Sequence, residues 1–298
     1  MTRYAAIAIL VIALCSCEKD VEFNITGQAP VVVNALFNPD STWRMRVDKA
    51  WRADEPSIYF DTIYIDGMPV IQGHTFKKAI EDARIEITSD GGEHITLDYD
   101  SNGYYISPLK PRAGESYHLS VNVPGRPVVS SSVVLPNPVP VDTAYIAVLP
   151  SSELLLTIEF TDAPGPTTYE FAVWSGTNTP YVPNLKCDDP DVHVELYFTP
   201  LKKFEDNGAS AGPWFLSLGD WNFKGQKKKL LIRTYGDPNE EWTVRMRTLS
   251  DEFARYRATS QLQQSTKNDP FAEPIQVFNN ISQGVGIFAG YSLVDYKF

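Results

Sequence analysis

Hydrophobic and polar positions alternate along most of this chain. Residues 30–37 form a run rich in β-branched side chains. Just after it, Trp43, Met45 and Val47 alternate with Arg44, Arg46 and Asp48, the period of two that marks a strand with one buried face. The pattern resumes at 83–88, where Ile85 and Ile87 oppose Arg84 and Glu86. Ser89-Asp90-Gly91-Gly92 then supplies a tight turn, and 94–99 returns as the second arm of a hairpin.

Further on, Tyr117, Leu119, Val121 and Val123 share one face of residues 115–125. The Gly114-x-x-Tyr117 start resembles the penultimate strand of immunoglobulin-like sandwiches, where a tyrosine ties down a corner. Residues 30–135 are therefore predicted to form an immunoglobulin-like β-sandwich domain closed by 127–135. Residues 136–140 carry three prolines, which cannot continue a ladder, and read as a stiff linker. Residues 141–298 are predicted to form a second mainly-β domain, with strands at 142–149, 153–160, 169–174, 192–198, 230–235 and 242–248. One segment breaks the alternation: Ser250 can cap a helix, Asp251 and Glu252 suit its positive end, and Phe253 and Tyr256 follow at helical spacing. One short helix is expected there, ending before Asn268-Asp269-Pro270. The fold class is mainly β, two β-sandwich-like domains with one short helix near the C-terminus.

The N-terminus follows another logic. Behind Arg3, residues 4–14 are an apolar block too short to cross a hydrocarbon core, which takes about 20 residues, and long enough for the core of a secretory signal. Leu14-Cys15-Ser16-Cys17 then resembles a lipobox. In that resemblance residues 1–16 are the signal peptide, Cys15 is removed with it, Cys17 is lipidated, and 17–29 are a tether. A metal or redox reading of Cys15 and Cys17 fails for want of ligands, since no other cysteine or histidine lies near. The charged run Glu18-Lys19-Asp20-Val21-Glu22 is similar to signals that send lipoproteins of the Bacteroidota to the outer face of the outer membrane.

Composition narrows the function. A net charge of −11 argues against nucleic acid, whose phosphates demand a basic face. After cleavage Cys187 would be the sole cysteine, so packing rather than a disulfide must hold the fold. His-Glu-x-x-His and phosphate-cradling glycine loops are absent, and four histidines, His74, His94, His118 and His193, supply little acid–base machinery. No cofactor is expected.

Three features remain as candidate sites. Asp189, Asp191, His193 and Glu195 alternate within the acidic cluster 188–195, but four residues on one strand face span roughly 20 Å, too far for one ion. A charged strand edge that discourages pairing is the simpler account, and whether the cluster takes a cation is left open. Trp214, Trp221 and Phe223 lie in a glycine-rich region and are candidate ligand or partner contacts, with core packing as the alternative. Lys227-Lys228-Lys229 is a basic island, read as a solvated turn that could also meet anionic glycan or lipid headgroups.

Near the C-terminus, Pro270 and Pro274 bracket Phe271 and Glu273, while Gly284, Gly286 and Gly290 allow close backbone approach around Phe288. This segment is read as a latch that holds the last strand on the sandwich, with Phe271 and Phe288 in the core. Together with the lipobox, the Gly114-to-Gly125 strand and the helix at Phe253, the stretch from Asn268 to Tyr291 resembles the Bacteroidota outer-membrane lipoprotein family catalogued as domain of unknown function 4249. The resemblance implies an accessory lipoprotein of the outer membrane beside a TonB-dependent receptor, and the charged run after Cys17 adds the expectation that it faces the cell exterior. It implies no catalytic residues. The leading expectation is thus a non-enzymatic binding or accessory module; the alternatives are a structural or adhesion lipoprotein of the envelope and, more weakly, a surface hydrolase.

Overall fold

The computed structural model describes residues 28–50, 58–65, 68–75, 79–176, 186–187, 192–195, 215–219, 223–266, 272–273 and 275–298. Eighteen strands and one helix are named among them. In the first half these are β1 (Val31–Phe37), β2 (Trp43–Lys49), the separate hairpin of β3 (Ile58–Ile65) and β4 (Met68–Thr75), β5 (Arg84–Ser89), β6 (His94–Tyr99), β7 (Tyr105–Ser107), β8 (Ser116–Asn122) and β9 (Val129–Val134). The second half holds β10 (Val141–Val148), β11 (Leu154–Thr161), β12 (Thr168–Ser175), β13 (Lys186–Cys187), β14 (Val192–Glu195), β15 (Phe215–Gly219), β16 (Lys227–Thr234), β17 (Trp242–Leu249), α1 (Asp251–Thr266) and β18 (Val285–Lys297). The chain is mainly β, as its alternation predicts.

The first core forms because alternate residues of β1 and β2 turn inward: Val31, Val33, Ala35 and Phe37, then Trp43, Met45 and Val47 are all buried. The strands run in the order β18-β1-β2-β7-β6-β5-β8-β9, and an isolated bridge between Ser130 and Ser282 ties the far edge back toward β18. Across this curled sheet the Trp43 ring meets Tyr117 at 5.0 Å and Phe37 at 4.4 Å. The hairpin predicted at 83–99 is β5 paired with β6. The tyrosine corner is present too: the Tyr117 hydroxyl accepts a hydrogen bond from the Arg112 amide at 2.6 Å.

The second lobe packs the sheet β10-β11-β16-β13 against β14-β15-β12-β17-β18. Phe160 of β11 stands at its centre, 5.1 Å from Tyr169 and 5.5 Å from Phe171 on β12. The helix begins where its capping residues place it, with Ser250 Oγ accepting from the Phe253 amide at 3.2 Å, and continues to Thr266.

One strand alters the domain division drawn at residue 141. β18 is 13 residues long, about 43 Å at strand rise, and serves both lobes. Its first half pairs in parallel with β1, from Val285 opposite Val32 to Gly290 opposite Phe37; its second half pairs antiparallel with β17, from Tyr291 to Lys297. Phe288 and Ile281 accordingly belong to the first core. The other face of the same strand, with Ile287, Ala289 and Tyr291, joins Leu249 and Phe253 in a third core beneath α1. Residues 281–290 thus complete the first lobe, although they follow β10 to β17 in sequence.

The latch reading of this segment is met in its described part. A Cβ on Gly286 would lie 2.0 Å from the Val33 carbonyl oxygen, and its φ of +123° favours glycine as well. The Asn280 side chain clamps Phe288 from both sides, accepting from its amide at 3.0 Å and donating to its carbonyl at 2.7 Å. Phe271 lies outside the described residues.

Candidate functional site

The residues singled out in the sequence separate into three groups. Cys17, Trp214, Trp221 and the acidic residues 188–191 lie outside the described residues. Val192–Glu195 forms β14, the outermost strand of its sheet among the described residues, which is the edge position expected for that cluster. Phe223, proposed as a contact residue, is instead a packing residue: it is buried in the second core with its ring edge-on to Phe160 at 6.1 Å. The reason is local. Gly225 turns the chain back immediately after it, so that Phe223 closes the end of the sheet rather than facing solvent.

The basic island is not a turn but the first part of β16. Lys227 Nζ and Lys229 Nζ reach Glu159 at 2.9 Å and 3.5 Å, and Lys229 also donates to the Tyr145 hydroxyl at 3.3 Å. Lys228 points the other way, 4.9 Å from the centre of the Phe223 ring. The Glu159 carboxyl is held below the usual carboxylate range by the hydrogen bond from Lys227. Neighbouring charge of opposite sign therefore offsets the positive field of the island, which weakens it as an anion site.

A charged cluster that the sequence does not announce lies beneath the helix. Glu170 of β12 stands opposite Arg247 of β17, and Arg257 of α1 descends on both. The Glu170 carboxylate meets Arg257 at 2.7 Å and Arg247 at 3.6 Å, with all three side chains buried. The Arg247 guanidinium also lies 4.6 Å over the Tyr291 ring, whose hydroxyl accepts from Asn38 at 3.1 Å. This network connects the second lobe, the helix and the turn after β1. A charged residue four positions after core Phe253 is the one sequence feature that points to it, since both lie on the same helical face.

Beside the first turn of that helix is an open cleft of about 540 Å³, where the outer face of β8 and β9 meets α1 and the chain before β18. Ser130 and Ser132 line one wall, Asp251, Glu252 and Arg255 the other, and Phe278 lies at its side. The Arg255 guanidinium covers the Phe278 ring at 4.4 Å. At its rim, His118 Nε2 and Asp90 Oδ1 are 2.9 Å apart, and this bond holds the Asp90 carboxyl below its ordinary range. Both partners of that pair are at least half exposed, where water screens such contacts. Hydroxyls, carboxylates and one guanidinium around an open space can hold a polar solute by hydrogen bonds. Among the described residues no group of three or more His, Cys, Asp or Glu side chains is placed to hold a metal ion, and no helix is long and apolar enough to cross a membrane.

Comparison with known proteins settles the family. A single family model matches residues 18–297, almost the whole chain. The chain belongs to the family described as domain of unknown function (DUF4249). No curated protein matches it. Among solved structures it is similar to one described as "Putative membrane anchored protein from Corynebacterium diphtheriae", at 7% identity and a TM-score of 0.23, over 74% of this chain. The chain spans about half the length of that protein, 54%. This DUF4249 member therefore takes its fold from its own strands, described above, and brings no assigned chemistry with its family.

Proposed function

We propose that this DUF4249 protein is a lipid-anchored module of the outer membrane, exposed on the cell surface, that binds rather than transforms its ligand and works beside a TonB-dependent transporter. The observation that carries the reading is where the family match begins. It starts at Glu18, immediately after the cysteine of the Leu14-Cys15-Ser16-Cys17 motif, so the apolar leader lies outside the shared body, as a cleaved leader would. Several acyl chains on one residue anchor stably, since each buried methylene contributes about 0.8 kcal/mol.

The polar cleft between β8, β9 and α1 is the surface this reading assigns to a solute, and the long joint of β18 holds its walls in fixed relation. Replacing Cys17 by alanine is expected to move the protein from the membrane fraction to the soluble fraction; retention in membranes overturns the anchor. Tagged, lipidated protein recovered from native membranes in mild detergent is expected to bring a barrel protein with it in stoichiometric amount. Recovery alone removes the transporter and leaves a free-standing binding or adhesion lipoprotein.

A further inference from the structure

The sheet β10-β11-β16-β13 ends on one side in β10, whose outer edge has no partner strand among the described residues. Natural edges are guarded by lysine, proline, bulges or short length. Here the strand is eight residues long, Val-Asp-Thr-Ala-Tyr-Ile-Ala-Val, without lysine, arginine or proline. Its one charge, Asp142, and its one irregularity, a register shift between Val141 and Thr143, both sit at the first end. From Thr143 onward the ladder to β11 is regular, and Tyr145 and Val148 are 45% and 61% exposed. The row of backbone groups on such an edge is matched by another extended strand.

We propose that β10 pairs antiparallel with β10 of a second copy of this chain about a two-fold axis, fusing two four-stranded sheets into one of eight. The sequence of the strand fixes the register. To keep Ala144 on the core side and Thr143, Tyr145 and Ala147 on the outer side in both copies, the axis must pass through a residue rather than between two. Centred on Tyr145, it sets that ring against its own copy, Ala144 against Ile146 of the partner subunit, Thr143 against the partner's Ala147, and Asp142 against the partner's Val148. No like charges meet at any pair of this ladder. Moving the axis to Ala144 brings Pro140 and the register shift into the ladder; moving it to Ile146 leaves only residues 144–148 to pair.

Two measurements on the full chain test this. In mild detergent, light scattering corrected for bound detergent is expected to give a dimer for the wild type and a monomer for Tyr145→Lys, with the far-ultraviolet circular dichroism of the two superimposed. In a Cys187→Ser background, Thr143→Cys together with Ala147→Cys is expected to give a covalent dimer on oxidation, and each single cysteine to give none. A monomeric wild type, a dimer unaffected by Tyr145→Lys, or a crosslink from a single cysteine overturns the proposal.

Discussion

At Tyr169 one hydroxyl accepts from the Ala163 amide at 3.0 Å and donates to the Asp162 carboxylate, whose second oxygen accepts from the Gly225 amide at 2.7 Å. Tyr105 does the equivalent in the first lobe, donating to the Ile80 carbonyl and accepting from the Ala83 amide. Burial, reinforced at Tyr169 by Asp162, raises the pKa of both hydroxyls above the ordinary tyrosine range. A proton held more tightly in the folded state stabilises the fold fully below the unfolded tyrosine pKa, about 10, and that stabilisation is lost as pH rises beyond it. Urea midpoints are therefore expected to stay level up to about pH 10 and to fall above it, with a shallower fall in Tyr169→Phe. An identical alkaline slope in the variant would remove Tyr169 as a cause. At Glu170, replacement by alanine leaves Arg247 and Arg257 buried without their carboxylate, a loss of about 3–5 kcal/mol read as a shift in the denaturation midpoint. A change below about 1 kcal/mol would mean that water reaches the cluster.

Helix and strand ends show how far the sequence could be read. Ser250, Asp251 and Glu252 announce the start of α1, and Ser250→Ala is expected to cost about 1 kcal/mol by removing the acceptor for the Phe253 amide. The glycines around Phe288 announce a close approach. Gly286→Ala is expected to cost at least about 2 kcal/mol, because the new methyl must displace the Val33 carbonyl in a ladder that has no slack. An unchanged midpoint in either variant contradicts the packing described here. Other features were not legible, for a physical reason. Periodicity shows that Glu170 faces away from Tyr169 and Phe171, but not that a helix more than 80 residues later covers it. Aromatic density marked Phe223, yet only the turn at Gly225 decides which way its ring points. The six-residue pairing of β1 with β18 depends on contacts across nearly the whole chain, which no local pattern encodes.

On the scale of the whole molecule, the shared strand predicts shared stability. Residues 28–135 made alone lack Phe288, Ile281 and the strand beside β1, and are expected to show the narrow amide dispersion of an unfolded chain in NMR spectra. A well-dispersed spectrum would show that the first lobe is self-sufficient. The full chain is expected to melt in one transition, with near- and far-ultraviolet signals coincident, because unzipping β18 opens all three cores together.

The position of that strand also sets a schedule. A ribosome that has made the first 280 residues has not yet made the side chain and backbone that finish the earliest-made core. The nascent protein therefore stays incompletely locked until residues 281–290 emerge. Synthesis that stops early yields a product with an open seam, marked for proteolysis by its own exposed interior.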